Sequence, residues 1–345
     1  MTKLYVGLDV SQRLTHICAV DQEGNRVWQG KCPTEPAAIA ETISARIPGA
    51  TSIGMESGAL SPWLWHALKD MGLPVVCLHA KHVARFLELR MNKTDKNDAR
   101  GIAEYMQKGH CSIVNVKSLD SYRARALMGM RAQLVWMRTD VTNQIRGILK
   151  TYGLVISHRE ERGFDAKLRA AAKEFPELGK MVEPLVQVLT AIREQTAALD
   201  KLVKDTAQND TICRHLMTVP GIGPITAVAY TSAVDDPKRF RKSRSVGAYF
   251  GLTSRRYQSG EVDRKGRISK WGDQLVRNYL FEAAAVVLMR TKSWSALKSW
   301  GLRIAKRAGL NKARVAVARR LAVIMHQMWI TGEAFRWSDQ KAATA

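Results

Sequence analysis

Two short apolar runs of this chain each end in a carboxylate, and an acidic pair follows further along. Asp9 and Glu56 stand at the ends of the two runs. Asp95 and Asp98 are three residues apart, so they share one face of a helix. Burying an unpaired carboxylate is costly, and such side chains therefore need a cation, a hydrogen-bond donor or solvent.

These carboxylates would repel one another if the fold brought them together, and a hard divalent cation removes that conflict. Mg²⁺ prefers oxygen ligands, and two such ions about 4 Å apart activate the attacking and leaving oxygens of phosphodiester chemistry. The sequence therefore predicts an Mg²⁺ site formed by Asp9, Glu56, Asp95 and Asp98. The alternatives are a turn cap at Asp9 and a solvated, self-capping helix start at Asp95 and Asp98.

The elements that must position the carboxylates follow from the apolar pattern. The predicted strands are residues 4–9, 16–21, 26–29, 52–56 and 74–78. The predicted helices are residues 37–47, 62–71, 79–89 and 95–107. Strands that alternate with helices favour parallel pairing, so we expect a mixed sheet flanked by helices.

Charge sets this chain apart from an ordinary globular protein. Its 345 residues include 54 Lys and Arg against 31 Asp and Glu, a formal net charge of +23. Such an excess indicates a polyanionic partner, most naturally nucleic acid. The alternative is that this protein is merely basic and has no such partner. We expect no membrane span, no signal peptide and, from five scattered cysteines without a CxxC pair, neither a disulfide framework nor a zinc site. A cytoplasmic location is predicted.

The middle of the chain changes to a seven-residue repeat. The first series is Leu127, Leu134, Val141 and Ile148, and the second is Leu178, Leu185, Ile192 and Leu199. The alternate core positions are assigned to Met130, Met137, Met181, Val188 and Leu202. This spacing predicts an antiparallel helical hairpin or an intermolecular coiled coil. The link between the series carries Arg159, Arg162, Lys167 and Arg169, which contact phosphate or are simply solvated.

The last third combines a glycine turn with many cations. Gly221 and Gly223 lie in a Pro-Gly-Ile-Gly turn that is typical of a helix-hairpin-helix element, although an ordinary interhelical turn is the alternative. The cations predicted to bind nucleic acid are Arg255, Arg256, Arg264, Lys265, Arg267 and Lys270. They surround four hydroxyls among which the residues alone do not choose a nucleophile: Ser254, Tyr257, Ser259 and Ser269. Residues 306–329 are predicted to form one amphipathic helix with a basic face.

Two motif blocks resemble one family of insertion-sequence transposases. The four carboxylates, with the string Asn-Lys-Thr-Asp-x-x-Asp-Ala that begins at Asn92, resemble its N-terminal RuvC-like DEDD domain. The string Gly-Leu-Thr-x-Arg-x-x-x-Ser-Gly that begins at Gly251 resembles its transposase domain, and this match places the catalytic serine at Ser259. Two departures are visible: Ser-Gly-Ala-Leu-Ser follows Glu56 where many members carry Thr-Gly-x-Tyr, and Ser254 replaces a usual proline.

The resemblance implies a fold class and a domain order. It implies an α/β N-terminal domain of the ribonuclease H-like (RuvC-like) fold, a long helical or coiled-coil segment and a mainly α-helical C-terminal domain. The predicted boundaries are residues 1–116 for the DEDD domain, 117–207 for the helical region, 208–337 for the transposase domain and 338–345 for a tail.

The resemblance also implies an activity and partners. We expect a DNA transposase or recombinase that uses Mg²⁺ at the DEDD site and forms a covalent phosphoserine link to DNA through Ser259. Donor and target DNA, a guide RNA encoded by the element and a homo-oligomer (a dimer or tetramer with a site shared between subunits) are the implied partners. The rival hypotheses are a metal-dependent nuclease of Holliday-junction type without a covalent step and a non-catalytic nucleic-acid-binding protein.

Overall fold

The computed structural model describes residues 3–88, 94–157 and 163–337, without the side chain of Lys265. Asn92 and Lys93 of the DEDD motif, Arg159 and Arg162 of the link and the predicted tail 338–345 lie outside the described residues. The chain divides into two compact units, Met1–Leu119 and Asp120–Ala345.

The first unit is a six-stranded mixed sheet with helices. Its strands are β1 (Leu4–Val10), β2 (Leu14–Val20), β3 (Arg26–Pro33), β4 (Ala50–Glu56), β5 (Val75–Leu78) and β6 (Ile113–Val114). Its helices are α1 (Pro36–Arg46), α2 (Ser61–Asp70), α3 (Ala80–Leu87) and α4 (Asp95–Gln107). The predicted order of strands and helices is confirmed up to α4, whereas the two-residue β6 was not predicted.

Strand order in this sheet is β3-β2-β1-β4-β5-β6. β1 runs antiparallel to β2 and parallel to β4, and β5 is parallel to β4 but antiparallel to β6. The parallel pairs arise where a helix connects the strands, and the antiparallel β1–β2 pair arises from a short hairpin. The carboxyl ends of β1 and β4 therefore meet at one edge of the sheet.

One face of the sheet carries the apolar core of the first unit. Alternate residues of the strands, among them Leu8, Ile17 and Met55, are fully buried in one cluster. Ile43 of α1 and Leu64 of α2 belong to the same cluster, so these two helices cover this face. Burial of each such side chain contributes on the order of 1.5–3 kcal/mol.

The opposite face packs against α4 at close range. A Cβ atom at Gly7 of β1 would lie 2.1 Å from the Ala99 carbonyl oxygen, so only glycine permits this approach. Cys18 of β2 and Ala103 of α4 are buried together on the same side. Because side chains alternate along a strand, the residues two positions from Gly7 and Cys18 also point toward α4.

Hydrogen bonds hold both ends of α4 to the sheet region. Gln29 Nε2, on β3, donates to the Lys96 carbonyl oxygen at 2.9 Å, in the first turn of the helix. Gln107 Nε2, at the other end, donates to the Gln22 carbonyl oxygen at 2.6 Å. The helix start is thereby fixed relative to β2 and β3.

The second unit is mostly helical. Its helices are α5 (Leu119–Thr151), which begins at the boundary, α6 (Phe164–Glu174), α7 (Pro176–Asn209), α8 (Thr211–Leu216), α9 (Pro224–Val234), α10 (Arg244–Tyr249), α11 (Gln274–Met289), α12 (Ala296–Ala308) and α13 (Leu310–Thr331). A hairpin of β7 (Ser254–Ser259) and β8 (Val262–Ile268) interrupts them. This hairpin was not predicted, and the predicted single helix over 306–329 is wrong because Gly309, at φ 89°, separates α12 from α13.

The two long helices α5 and α7 pack as an antiparallel pair within the chain. Arg131 of α5 forms an ion pair with Asp200 of α7, whereas Leu149 near the other end of α5 shares a core cluster with Val182 of α7. This matches the helical-hairpin alternative, with α6 lying in the connection.

The face predicted to be buried between these helices is wrong in part. Five residues assigned to core positions are exposed: Met130, Met137, Met181, Val188 and Leu202. On α7 the buried residues include Val182 and Leu189, each one position later along the helix. Leu178 and Ile192 of the predicted series on α7 are buried, as expected. The seven-residue repeat thus predicted the helices and one row of core positions, but it placed the alternate row about 100° away around the axis.

A second core joins α9, α11 and α13. Tyr230 of α9 is fully buried, donates to the Ala322 carbonyl oxygen at 2.7 Å, and has a pKa raised well above its usual value by burial.

Within the described residues, none of the helices has the length and apolar character that crossing a membrane requires.

Candidate functional site

The β1–β2 hairpin places Asp9 directly opposite His16. Directly paired residues of two antiparallel strands project to the same face, and here that face is the one covered by α4. The His16 side chain is 14% exposed, and its Nδ1 atom lies 3.6 Å from Asp95 Oδ2. Asp9, His16 and Asp95 each offer one donor atom within 4.8 Å of the others.

The start of α4 supplies the third member of this group. Thr94 is the N-cap, and its Oγ1 accepts a hydrogen bond from the Asn97 backbone at 3.3 Å. Asp95 therefore does not cap the helix and occupies its first turn, where the helix dipole favours a negative charge. Asp98 follows less than one turn later and is half-buried.

Glu56 reaches the same edge from the neighbouring parallel strand. Leu8 of β1 pairs with Met55 of β4, so the next residues, Asp9 and Glu56, are level with each other. Residues at the same level of paired strands project to the same face. Glu56 is exposed at this edge.

The predicted carboxylates therefore differ in how closely the structure gathers them. Asp9 and Asp95 lie in the three-residue cluster, Glu56 lies in the same row of the sheet, and Asp98 belongs to the next stretch of α4. His16 was not predicted. The signal that could have found it is the hairpin itself, because a strand-turn-strand pattern over residues 4–20 pairs position 9 with a position near 16.

The donor set fits a divalent ion. Two ligands of one Mg²⁺, each about 2.1 Å from it, are at most about 4.2 Å apart. The donor atoms of Asp9, His16 and Asp95 lie within 4.8 Å of one another, so small side-chain adjustments would bring them to one ion. Two carboxylates supply negative charge, and Glu56 stands on the neighbouring strand, level with Asp9.

Ser259 occupies a different kind of position, at the tip of the β7–β8 hairpin. It pairs with Val262 across a two-residue turn in which Gly260 has φ 55°. Ser259 is exposed, as are the other residues of β7. Among the residues that the structure describes, none forms a hydrogen bond with its hydroxyl, which leaves that group accessible to a partner.

The base of the hairpin is tied to the helical core. The buried guanidinium of Arg277 donates to the carbonyl oxygens of Phe250 and Trp271, at 3.1 and 3.2 Å. Burial lowers the pKa of Arg277 from its usual value. Cβ atoms at Gly251 and Gly272 would lie 2.2 and 1.9 Å from backbone oxygens, so the two segments that carry these glycines cross at contact distance.

The predicted nucleic-acid-binding cations of this hairpin fall into two groups. In the first group, Arg256 forms a bidentate ion pair with Asp263, at 2.8 and 2.9 Å, and this pair raises the pKa of Arg256. Arg255 donates to the Ser269 carbonyl oxygen at 2.9 Å. Arg264, Arg267 and Lys270 form the second group: they are also exposed, and their side chains have no such partner among the described residues. A phosphate can approach this second group without displacing an ion pair.

The glycine turn before α9 has a packing role. Gly221 has φ 82°, and a Cβ atom there would lie 2.6 Å from the Ala283 carbonyl oxygen of α11. Gly223 is the N-cap of α9 and has open space around its α-carbon. Close packing thus accounts for Gly221, while phosphate binding by this turn stays a prediction.

The chain resembles known transposases in two segments and over most of its length. Residues 6–154 match a family model of DEDD type described as a transposase, and residues 213–299 match one described as transposase IS116/IS110/IS902 family. The chain is 27% identical over 337 residues to the transposase for insertion sequence element IS1111A of Coxiella burnetii, covering 96% of this chain and 91% of the relative.

Of two further relatives, one is also named a transposase and the other is named a gene-inverting protein. The transposase for insertion sequence element IS1328 of Yersinia enterocolitica is 27% identical over 338 residues, covering 96% of this chain and 98% of the relative. The pilin gene-inverting protein of Moraxella bovis is 22% identical over 303 residues, covering 83% and 84% of the two chains.

The two family matches occur in one order, a DEDD transposase domain followed by a C-terminal transposase domain, and together they span about two thirds of the chain. The protein is therefore an enzyme of the transposase class. It belongs, more narrowly, with the IS110/IS116 transposases of insertion sequences. Asp9, Glu56, Asp95 and Asp98 lie inside the first matched segment, and Ser259 lies inside the second.

Proposed function

We propose that the first unit is a ribonuclease H-like domain of the RuvC type, in which Asp9, Glu56, Asp95 and Asp98 would bind Mg²⁺ at a site for DNA cleavage. The observation that carries this proposal is the cluster of Asp9, His16 and Asp95 beneath the start of α4, with Glu56 level with Asp9. Divalent Mg²⁺ supplies charge stabilisation for phosphodiester cleavage when bound. The carboxylates would hold the ion, and α4 packs on the same face of the sheet.

We propose that Ser259 is the nucleophile. Its hydroxyl oxygen bonds to phosphorus as a phosphorus–oxygen bond of the DNA strand breaks; the serine proton passes to a base, and the departing strand oxygen takes up a proton. The phosphoserine link conserves the bond energy for strand exchange. The exposed position of Ser259 and the cation Arg264, which pairs with Tyr257 two residues before Ser259, support this role, because cations stabilise the developing phosphate charge.

The partners in this proposal are donor and target DNA and a guide RNA encoded by the element. The net charge of +23 supports binding of polyanions of either kind. We also propose a dimer or tetramer in which the metal site and Ser259 come from different subunits. An apolar surface for a second subunit is offered by three exposed residues of α7, Met181, Val188 and Leu202. Their separations along the helix are multiples of seven residues, so they lie on one face.

The test uses the full chain, Mg²⁺, labelled substrate DNA and any RNA that copurifies with the protein. We expect a covalent protein–DNA adduct on denaturing gels, and Ser259→Ala should remove it. Ser254→Ala is the matched control, because Ser254 is the exposed first residue of the same strand, and it should keep the adduct. An adduct that persists in Ser259→Ala would show that another residue is the nucleophile.

The rival nuclease predicts a different product in the same experiment. Water as the nucleophile gives free cut ends and no adduct, and Ser259→Ala stays active. Asp9→Asn separates both enzymes from a protein that only binds nucleic acid, since it should lower cleavage by about a hundredfold or more, the scale on which single catalytic groups act.

A further inference from the structure

We propose that His16 is a ligand of the divalent ion in the first unit, through Nδ1, and that this nitrogen makes the site favour Mn²⁺ over Mg²⁺ more than an all-oxygen site would. The inference rests on the proposed metal site at Asp9 and Asp95. It adds a residue that neither the carboxylate motif nor the family resemblance includes.

The position of His16 is fixed by the sheet. It is paired with Asp9 across β1 and β2, and it shares its strand face with Cys18, which packs against Ala99 and Ala103 of α4. The imidazole therefore projects into the space between the sheet and the start of α4. A backbone pairing sets this direction, so the ring needs no partner from a loop.

The imidazole nitrogen that faces this space forms no hydrogen bond within the described residues. His16 Nδ1 is buried and has no hydrogen-bond partner there. Its 3.6 Å distance from Asp95 Oδ2 is too long for a hydrogen bond and shorter than the largest separation of two ligands on one ion. A buried nitrogen without a partner is costly, and metal coordination would satisfy it.

The alternative is an ion pair in which a charged His16 neutralises Asp95 and no metal binds to nitrogen. The two arrangements differ in chemistry. A coordinating Nδ1 requires the neutral imidazole with its proton on Nε2. Imidazole nitrogen is a good ligand for first-row transition metals, whereas Mg²⁺ prefers oxygen and water. Metal selectivity therefore distinguishes a ligand from an ion-pair partner.

The experiment measures Mn²⁺ and Mg²⁺ binding to the full chain without nucleic acid, by titration calorimetry and by Mn²⁺ electron paramagnetic resonance. In His16→Gln the Mn²⁺ affinity should fall about tenfold or more, and the Mg²⁺ affinity should change less. His66→Gln is the matched control in the same unit: His66 lies on α2 and contacts the Lys117 carbonyl oxygen at 2.9 Å. Both affinities should stay unchanged in that variant.

A second measurement detects the ligand directly in the unaltered chain. Mn²⁺ bound to the unaltered chain should show the ¹⁴N coupling of a coordinated imidazole in electron spin echo spectra, and His16→Gln should lack it. Mn²⁺ binding that Asp9→Asn weakens, but without ¹⁴N coupling, overturns the role of His16 and leaves the proposed carboxylate site standing. Absence of any binding that depends on Asp9 overturns the metal site and this inference together.

Discussion

His326 shows how one buried side chain links stability to pH in the second unit. It is fully buried on α13, where Nε2 donates to the Pro237 carbonyl oxygen at 2.9 Å and Nδ1 accepts from the Ser243 hydroxyl at 3.0 Å. This pattern requires the neutral ring with its proton on Nε2. Burial lowers the pKa of His326 below its usual value, although the bond to Pro237 opposes the shift.

The sign of the pH effect follows from that shift. The unfolded chain binds a proton at about pH 6.5, and the folded chain binds it only at lower pH, so the stabilisation is complete above about pH 6.5 and is lost as the pH falls through the folded pKa. Replacing His326 with Gln should lower the free energy of unfolding by about 1–3 kcal/mol at pH 7.5, and the difference from the unaltered chain should shrink toward pH 5. Urea unfolding at several pH values measures this, and a difference independent of pH would contradict it.

At the scale of elements, the approach of α4 to β1 decides whether the candidate metal site forms. Gly7 faces the helix two residues before Asp9, and its missing side chain lets the Ala99 backbone lie against the strand. Asp95 is one turn before Ala99 on the helix face that meets the sheet. Any residue that lifts α4 from β1 would therefore also separate Asp95 from Asp9.

Gly7→Ala tests this dependence. Its Cβ atom would lie 2.1 Å from one backbone oxygen and 2.5 Å from a backbone nitrogen of α4, which a side-chain movement cannot relieve. We expect the free energy of unfolding to fall by about 1–3 kcal/mol, the usual cost of overpacking, and Mn²⁺ binding to weaken. Gly58→Ala is the control, because Gly58 has open space and no positive φ. Equal effects of the two substitutions on metal binding would contradict the argument.

The sequence predicted those elements whose burial follows a period. The order of strands and helices up to α4 came from apolar alternation and helical spacing. The β7–β8 hairpin has no such signal, because every residue of β7 is exposed. On α7 the burial of Leu178 and Ile192 was predicted, whereas the choice between the neighbours Met181 and Val182 could not be, because only the packing of α5 and α6 decides which of them is covered. His16 was missed because its pairing with Asp9 depends on strand register.

At the scale of the whole molecule, the charge of +23 should dominate affinity for DNA. Each phosphate that a cation neutralises releases counterions, so the logarithm of the association constant falls linearly with the logarithm of salt concentration. Arg264→Ala on the hairpin should weaken DNA binding and reduce the magnitude of that slope by about one. Fluorescence anisotropy at several salt concentrations measures both quantities.

The control for Arg264→Ala removes the same charge elsewhere. Arg123 of α5 is exposed and paired with Asp120 at 2.9 Å, so Arg123→Ala changes the net charge equally. The slope should stay unchanged in this variant. If both variants lower it by the same amount, the hairpin does not contact phosphate and only net charge matters.

The alternation along β1 has a consequence for how such a protein can diverge. Val6 and Leu8 point into the apolar core, while Gly7 and Asp9 point toward α4. Substitutions among the core-facing residues of this strand can therefore accumulate while the residues that face α4 stay the same. Equally, the donor groups that face α4 can change without repacking of the core. Residues that build the core and residues that build the candidate site thus alternate along a single seven-residue strand and can evolve separately.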